Sequence, residues 1–313
     1  MKKLLTILLF TSIVLQAQTN FSIDTSYTPK SVFNKEIKKY PFISLVQQKH
    51  HSNVLEKKEI VYSTIQDRAL HLDAYYTKAS QKKPAIVILH GGGWKSGNKS
   101  QMETFAQEMA SKGFSSFTIE YRLSQEAKYP AGIFDVKKAI QFIKSNAKQF
   151  NIDTTKIAIL GCSSGGQMAA LIGSTNNNSL FENKDSSIKT SSTVQAIIDI
   201  DGILAFKHPE SAEGTIAGLW LGGNYEEKPE VWKQASALTH TDKNTPPTLF
   251  INSSLPRFHA GRDDMIAILN QNKIYSEVKT FENSPHSFWF LNPWFDQTVN
   301  TTTQFLNKIF NTK

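Results

Sequence analysis

Gly161-Cys162-Ser163-Ser164-Gly165 is a G-x-S-x-G pentapeptide, and its flanks decide how it reads. The apolar run at 156–160 (KIAIL) before it has the character of a buried strand, and 167–172 after it that of a helix. A strand, a tight turn and a helix hold a serine in a constrained backbone, with its hydroxyl exposed above the sheet and a helix N-terminus behind it. That arrangement presents an oxygen nucleophile for acyl transfer. The two glycines are expected where chain segments approach so closely that a Cβ would clash. Cys162, the only cysteine, sits beside the nucleophile and reads as a small buried filler of the turn rather than as a reactive thiol.

A serine hydroxyl is weak and needs a base. The base should follow the last strand, and of the eight histidines His286, in Pro285-His286-Ser287-Phe288, holds that place. Acyl transfer also creates an oxyanion, which requires preorganised hydrogen-bond donors. His90-Gly91-Gly92-Gly93-Trp94 directly follows an apolar run at 84–89 and supplies them. The expected donors are the backbone N–H groups of Gly92, Gly93 and Ser164, with His90 shaping the loop. A phosphate-binding loop does not fit, because no G-x-x-x-x-G-K-[ST] pattern is present. The acid that orients His286 has two candidates. Asp201 ends the strand-like stretch Ile198-Asp199-Ile200-Asp201, where alternation puts Asp199 and Asp201 on one side. Asp263, with Asp264, opens a later helix, where a capping pair is the competing reading. Asp201 ranks first and Asp263 stays open.

These residues need elements to position them. Residues 59–65 and 70–76 alternate apolar and polar side chains and predict two antiparallel strands. The continuous apolar run at 84–89 predicts a buried strand, the stretches at 114–120, 157–160, 194–200, 248–251 and 275–281 predict further strands, and helical patterns lie at 100–111, 130–150, 263–272 and 294–309. Strands alternating with helices give an α/β fold: a mostly parallel central sheet with helices on both faces and an N-terminal antiparallel edge pair. Residues 174–193, rich in Asn and Ser, read as a loop, and the irregular stretch 202–238 as a small cap over the site. Residues 1–17 carry a signal-peptide pattern: Met1-Lys2-Lys3, an apolar stretch too short to span a bilayer, and Ala17 at the cleavage point. Residues 18–54 are then an N-terminal arm and 55–313 the catalytic domain. An exported protein without an internal disulfide must rely on its core. The formal charge of +8 is spread along the chain, with no basic run interleaved with aromatics, so nucleic acid is not an expected partner. No membrane anchor is expected after signal removal. No histidine pair has the spacing of a metal site, and no cofactor is implied.

His90-Gly-Gly-Gly-Trp94, Tyr121-Arg122-Leu123, Gly161-x-Ser163-x-Gly165 and the late Pro285-His286 resemble the α/β-hydrolases of the esterase/lipase superfamily. The likeness covers about residues 55–310 and is nearest to exported bacterial carbohydrate esterases that remove acetyl or feruloyl groups from plant polysaccharides. The resemblance implies an exported serine carboxylesterase acting through an acyl-enzyme on ester groups of xylan or pectin. Pectin methyl-ester hydrolysis and an inactive glycan-binding relative are the alternatives. The sequence departs from the family pattern at the acid, since Leu255 stands where an Asp usually follows the penultimate strand. Members with the acid one strand earlier support Asp201. Arg257, His259 and Arg262 offer cations for a uronate carboxylate, against internal pairing such as Arg262 with Asp201 or Asp264. Trp94 offers a stacking surface for sugar, as do Trp220, Trp289 and Trp294, against core packing.

Overall fold

The computed structural model describes residue 24 and residues 26–182 and 190–312. The signal-peptide stretch 1–17 lies outside the described residues. Ten strands and nine α-helices follow along those residues. The strands are β1 (Ser44–Leu45), β2 (Val54–Ile65), β3 (Arg68–Thr77), β4 (Lys83–Leu89), β5 (Ser115–Ile119), β6 (Ile152–Cys162), β7 (Ala196–Ile200), β8 (Thr248–Asn252), β9 (Ser276–Thr280) and β10 (Leu291–Asn292). The helices are α1 (Pro29–Glu36), α2 (Glu103–Ser111), α3 (Ala131–Ser145), α4 (Ala147–Phe150), α5 (Ser164–Ser174), α6 (Gly214–Leu221), α7 (Pro229–Gln234), α8 (Arg262–Gln271) and α9 (Phe295–Phe310).

Eight strands form one sheet in the order β2-β3-β5-β4-β6-β7-β8-β9. β2 and β3 pair antiparallel at one edge, β3 meets β5 antiparallel, and every pair from β5–β4 to β8–β9 is parallel. The central parallel strands β4, β6, β7 and β8 are largely apolar on both faces because helices cover both, while the edge strand β9 is polar and partly exposed. Ile86, Ile88, Leu160 and Ile198 face one core with α2 and α9, while Val87, Leu89, Ile159 and Ile197 face the other with α3 and α5. The helical pattern at 130–150 is interrupted at Asn146, which splits it into α3 and the single turn α4. Tyr121-Arg122-Leu123 is structural glue: Arg122 clamps Asp135 on α3 through Nε and Nη2, each at 2.8 Å.

The segment before β2 is built into the fold. Gly97 N–H donates to the Asp24 carbonyl, and the Gln101 amide donates to the carbonyl of Tyr27. The Tyr27 hydroxyl lies 2.7 Å from Ser287 Oγ, and β1 pairs with β10. Tyr40 packs edge-on against Trp294 at 6.2 Å. This segment therefore straps the His90–Trp94 loop to the loop that carries His286. Among the described residues no helix is long and apolar enough to cross a membrane.

Candidate active site

The nucleophile position is a strained turn between β6 and α5. Ser163 has φ 56° and ψ −122°, a backbone that a non-glycine residue adopts only when its surroundings impose it. Its N–H donates to the Ile200 carbonyl at 2.8 Å, and its own carbonyl accepts from Gln167 N–H at 3.0 Å. Gly161 is required by close approach, since a Cβ there would run into the carbonyl of Gly165. Cys162 is fully buried, and burial pushes its thiol well above its usual range, so it stays a protonated filler.

His286 and Asp201 complete a chain of hydrogen bonds. His286 Nε2 lies 2.8 Å from Ser163 Oγ, and its Nδ1 lies 2.9 Å from Asp201 Oδ2. The remaining carboxylate oxygen of Asp201 accepts from Ser253 N–H at 2.7 Å, and Asp201 N–H donates to the Ile251 carbonyl at 3.0 Å. Strand alternation does not place this side chain: Asp201 has φ 51°, so it has left β7 and the turn aims it. Asp263 is not near the imidazole pair. Its side chain is 78% exposed and accepts from Arg262 Nε at 2.8 Å. His286 is sandwiched on one face by Phe258, nearly parallel with centroids 3.4 Å apart, and the edge of Trp289 meets it at 5.3 Å. The Arg257 guanidinium covers the other face of Phe258 at 4.1 Å.

The loop after β4 lies against the nucleophile. A Cβ on Gly91 would sit 3.1 Å from that of Ser163. Gly92 has φ 129°, and any Cβ there would collide with the Ser96 carbonyl, so only glycine fits this turn. Among the described residues the N–H groups of Gly92, Gly93 and Ser164 have no hydrogen-bond acceptor, which leaves three donors free beside Ser163. His90 is buried beneath the loop, stacked on Tyr121 at 4.5 Å. Burial pushes its pKa down to about 4. The ring is therefore neutral, and its Nδ1–H donates to the Gly91 carbonyl at 2.8 Å, which locks the loop shape.

A cavity of about 620 Å³ opens above Ser163 and His286, within the range of small-molecule sites. Three walls enclose it: Tyr27, Glu36, Lys39 and Tyr40 from the N-terminal segment, Glu213, Thr215 and Ile216 from the start of α6, and Leu255, Arg257 and Phe258. Of the expected substrate contacts only Arg257 lines it. His259 is buried on the inner side of its 3-10 turn and is absent from the cavity wall. Arg262 is turned inward, with Nη1 donating to Asn252 Oδ1 at 2.8 Å and Nε to Asp263. Trp94 is core: its ring stacks on Trp220 at 4.9 Å, and Nε1–H donates to Gln167 Oε1 at 3.0 Å. It ties the loop after β4 to α6 and faces the core. Trp220, Trp289 and Trp294 are buried too. Tyr27, Tyr40, Lys39, Glu213 and Phe258 were not singled out from the sequence. Phe258 alone has a local signal, lying between Arg257 and His259, two of the expected substrate contacts. Among the described residues no group of three or more His, Cys, Asp or Glu side chains is placed to hold a metal.

The BD-FAE family matches residues 72–276, about two thirds of the chain. The chain belongs to the BD-FAE family. Its match begins after the N-terminal strap and ends before His286, so one wall of the cavity and His286 itself lie outside the matched stretch. Esterase LipC of Mycobacterium tuberculosis is 27% identical over 242 residues, covering 75% of this chain and 58% of its own length. The probable carboxylic ester hydrolase LipM of the same organism is 27% identical over 226 residues, covering 67% of this chain and 52% of its own. This BD-FAE chain thus spans somewhat more than half the length of these relatives. Among solved structures, a truncated carbohydrate esterase from gut microbiota superposes with a TM-score of 0.72 at 24% identity, covering 84% of this chain and 99% of that one. An acetyl ester-xyloside bifunctional hydrolase from Caldicellulosiruptor lactoaceticus gives 0.70 at 22% identity, covering 80% and 96%. At these identities the likeness establishes the shared α/β-hydrolase fold.

Proposed function

We propose that this BD-FAE protein is an exported serine carboxylesterase that removes acetyl groups from plant polysaccharides such as xylan or pectin. The observation that carries the reading is the unbroken series Ser163–His286–Asp201, ending in a cavity beside three unpartnered backbone N–H groups. Ser163 Oγ attacks the ester carbonyl while His286 Nε2 takes its proton. Asp201 keeps the imidazole proton on Nδ1 and faces the imidazolium as it forms. The N–H groups of Gly92, Gly93 and Ser164 receive the oxyanion. His286 then returns the proton to the departing sugar alkoxide, leaving an acyl-enzyme on Ser163. Water, deprotonated by His286, attacks that acyl group and restores the serine. The sugar-ester preference is supported by the carbohydrate esterases among the structural neighbours. Export rests on the signal-like composition of residues 1–17. Withdrawal of His259 and Arg262 from the cavity removes much of the case for a pectin methyl ester, since Arg257 stands without them.

The test is hydrolysis of p-nitrophenyl acetate by wild type and Ser163→Ala, followed by acetate or methanol release from acetylated xylan, acetylated pectin and methylated pectin. The reading requires that Ser163→Ala abolish turnover and that acetate be released. Equal rates for the two proteins, or methanol as the main product, contradict it.

A further inference from the structure

Glu213 makes no side-chain hydrogen bond with the rest of the described residues. It is the N-cap of α6, yet its side chain makes no capping hydrogen bond. The cap is made by its backbone carbonyl, which accepts from Ala217 N–H. No ion pair within 4.0 Å joins it to any cation among the described residues. Its Oε1 is buried without a hydrogen-bond partner. Burial holds the carboxyl above its usual range, opposed most by the nearby Arg257 guanidinium. A buried acceptor without a partner is costly and calls for an explanation. The cavity supplies one, because Glu213 lines the same space as Ser163 and His286.

We propose that Glu213 is a specificity-determining residue whose carboxylate accepts hydrogen bonds from hydroxyls of the neutral sugar that carries the ester. The assignment rests on the esterase reading above. An ionised carboxylate only accepts, so it selects groups that donate. Charge-assisted O–H···O⁻ bonds are short and about twice as strong as neutral ones. A uronate carboxylate in the same place would meet a like charge, whereas a xylose-type ring presents donors and no charge. The bond that breaks joins the acyl carbon to an oxygen on the sugar ring, so binding hydroxyls on the neighbouring ring carbons orients that bond.

The experiment compares kcat/KM for acetylated xylo-oligosaccharides with kcat/KM for p-nitrophenyl acetate, whose alcohol portion has no further hydroxyl. Wild type, Glu213→Gln and Glu213→Ala are measured, with thermal melting to verify folding. The ratio of sugar ester to aryl ester is expected to fall at least tenfold in Glu213→Ala and at least threefold in the isosteric Glu213→Gln, through a raised sugar-ester KM. Smaller changes overturn the proposal, and Glu213→Gln alone decides if the alanine variant does not fold. Wild type that cleaves the aryl ester but not the acetylated oligosaccharide overturns this assignment alone. Wild type inert toward both overturns the esterase reading and this assignment with it.

Discussion

Replacing Asp201 with Asn tests whether this carboxylate is the partner that sets the histidine. Its two oxygens face two different donors. Oδ1 accepts from Ser253 N–H at 2.7 Å, and Oδ2 faces His286 Nδ1 at 2.9 Å. A backbone N–H can only donate, so the asparagine carbonyl oxygen must take the Ser253 side. That turns the side-chain NH₂ toward His286. A ring nitrogen facing an N–H donor has to be unprotonated, which moves the imidazole proton to Nε2. Nε2–H then points at Ser163 Oγ and cannot accept its proton. The opposite flip fares no better, because it sets NH₂ against Ser253 N–H. Loss of the correct tautomer in serine hydrolases costs about 10⁴ in kcat, equivalent to about 5 kcal/mol of transition-state stabilisation. The assay is p-nitrophenyl acetate hydrolysis by Asp201→Asn and Asp263→Asn in parallel, with melting temperatures for both. Asp201→Asn should lose about four orders of magnitude in kcat with little change in KM. Asp263→Asn should stay within about twofold, since an exposed pair such as Asp263–Arg262 contributes at most about 1 kcal/mol. A well-folded Asp201→Asn retaining more than about a tenth of wild-type kcat, or an Asp263→Asn that loses more than tenfold, refutes the reasoning.

Three further outcomes are expected. Phe258→Leu removes the aromatic face stacked on His286. Such pairs contribute about 0.5–1.5 kcal/mol, so kcat should drop about two- to tenfold while Phe258→Tyr keeps it; equal loss in both variants would point away from stacking. Gly92→Ala forces a Cβ into the Ser96 carbonyl at φ 129° and displaces an oxyanion donor. Its kcat should fall about 10²–10³-fold, and near-wild-type turnover would remove Gly92 from that role. Asp199 is buried with one oxygen unpartnered, and burial together with nearby Asp201 raises its carboxyl well above the usual range. The folded chain therefore keeps a proton that the unfolded chain releases near pH ~4. Wherever the folded state binds more protons, stability falls as pH rises. Asp199→Asn copies the neutral form, so its melting temperature should exceed wild type at pH 7–8, and the gap should close at pH 4 and below. A gap of constant size across that range would contradict the assigned cause.

What could be read from the residues divides along the regularity of the backbone. The central parallel strands β4, β6 and β8 announce themselves as apolar runs because both faces are covered, whereas the edge strand β9 is polar. The elbow around Ser163 and the loop after β4 depend on local glycine chemistry, so their sequence is their structure. The walls of the cavity have no such signature. Tyr27 meets Ser287 across 260 positions, and nothing periodic in the N-terminal segment foretells it. In the 3-10 turn Pro256–His259, one residue of rotation decides which side chain reaches His286. Arg257 and Phe258 face the cavity, while His259 points into the protein. Whether Trp94 meets sugar or Trp220 is likewise a matter of packing, and its composition alone is neutral on it.

The sheet order explains why Asp201 lies beside Ser163 and His286. β7 lies between β6 and β8, and Ser163 N–H bonds to Ile200 at the end of β7. Asp201, one residue further, is thus held next to the nucleophile by the sheet itself, within reach of the loop that lowers His286 onto both. The turn after β8 then needs no acid. It contributes Ser253 N–H to fix the Asp201 carboxylate, and the following residues are free to carry Phe258 onto the imidazole. The turn after β8 therefore acts on His286 through a backbone N–H that fixes Asp201 and through the Phe258 ring stacked on the imidazole, three residues after Leu255.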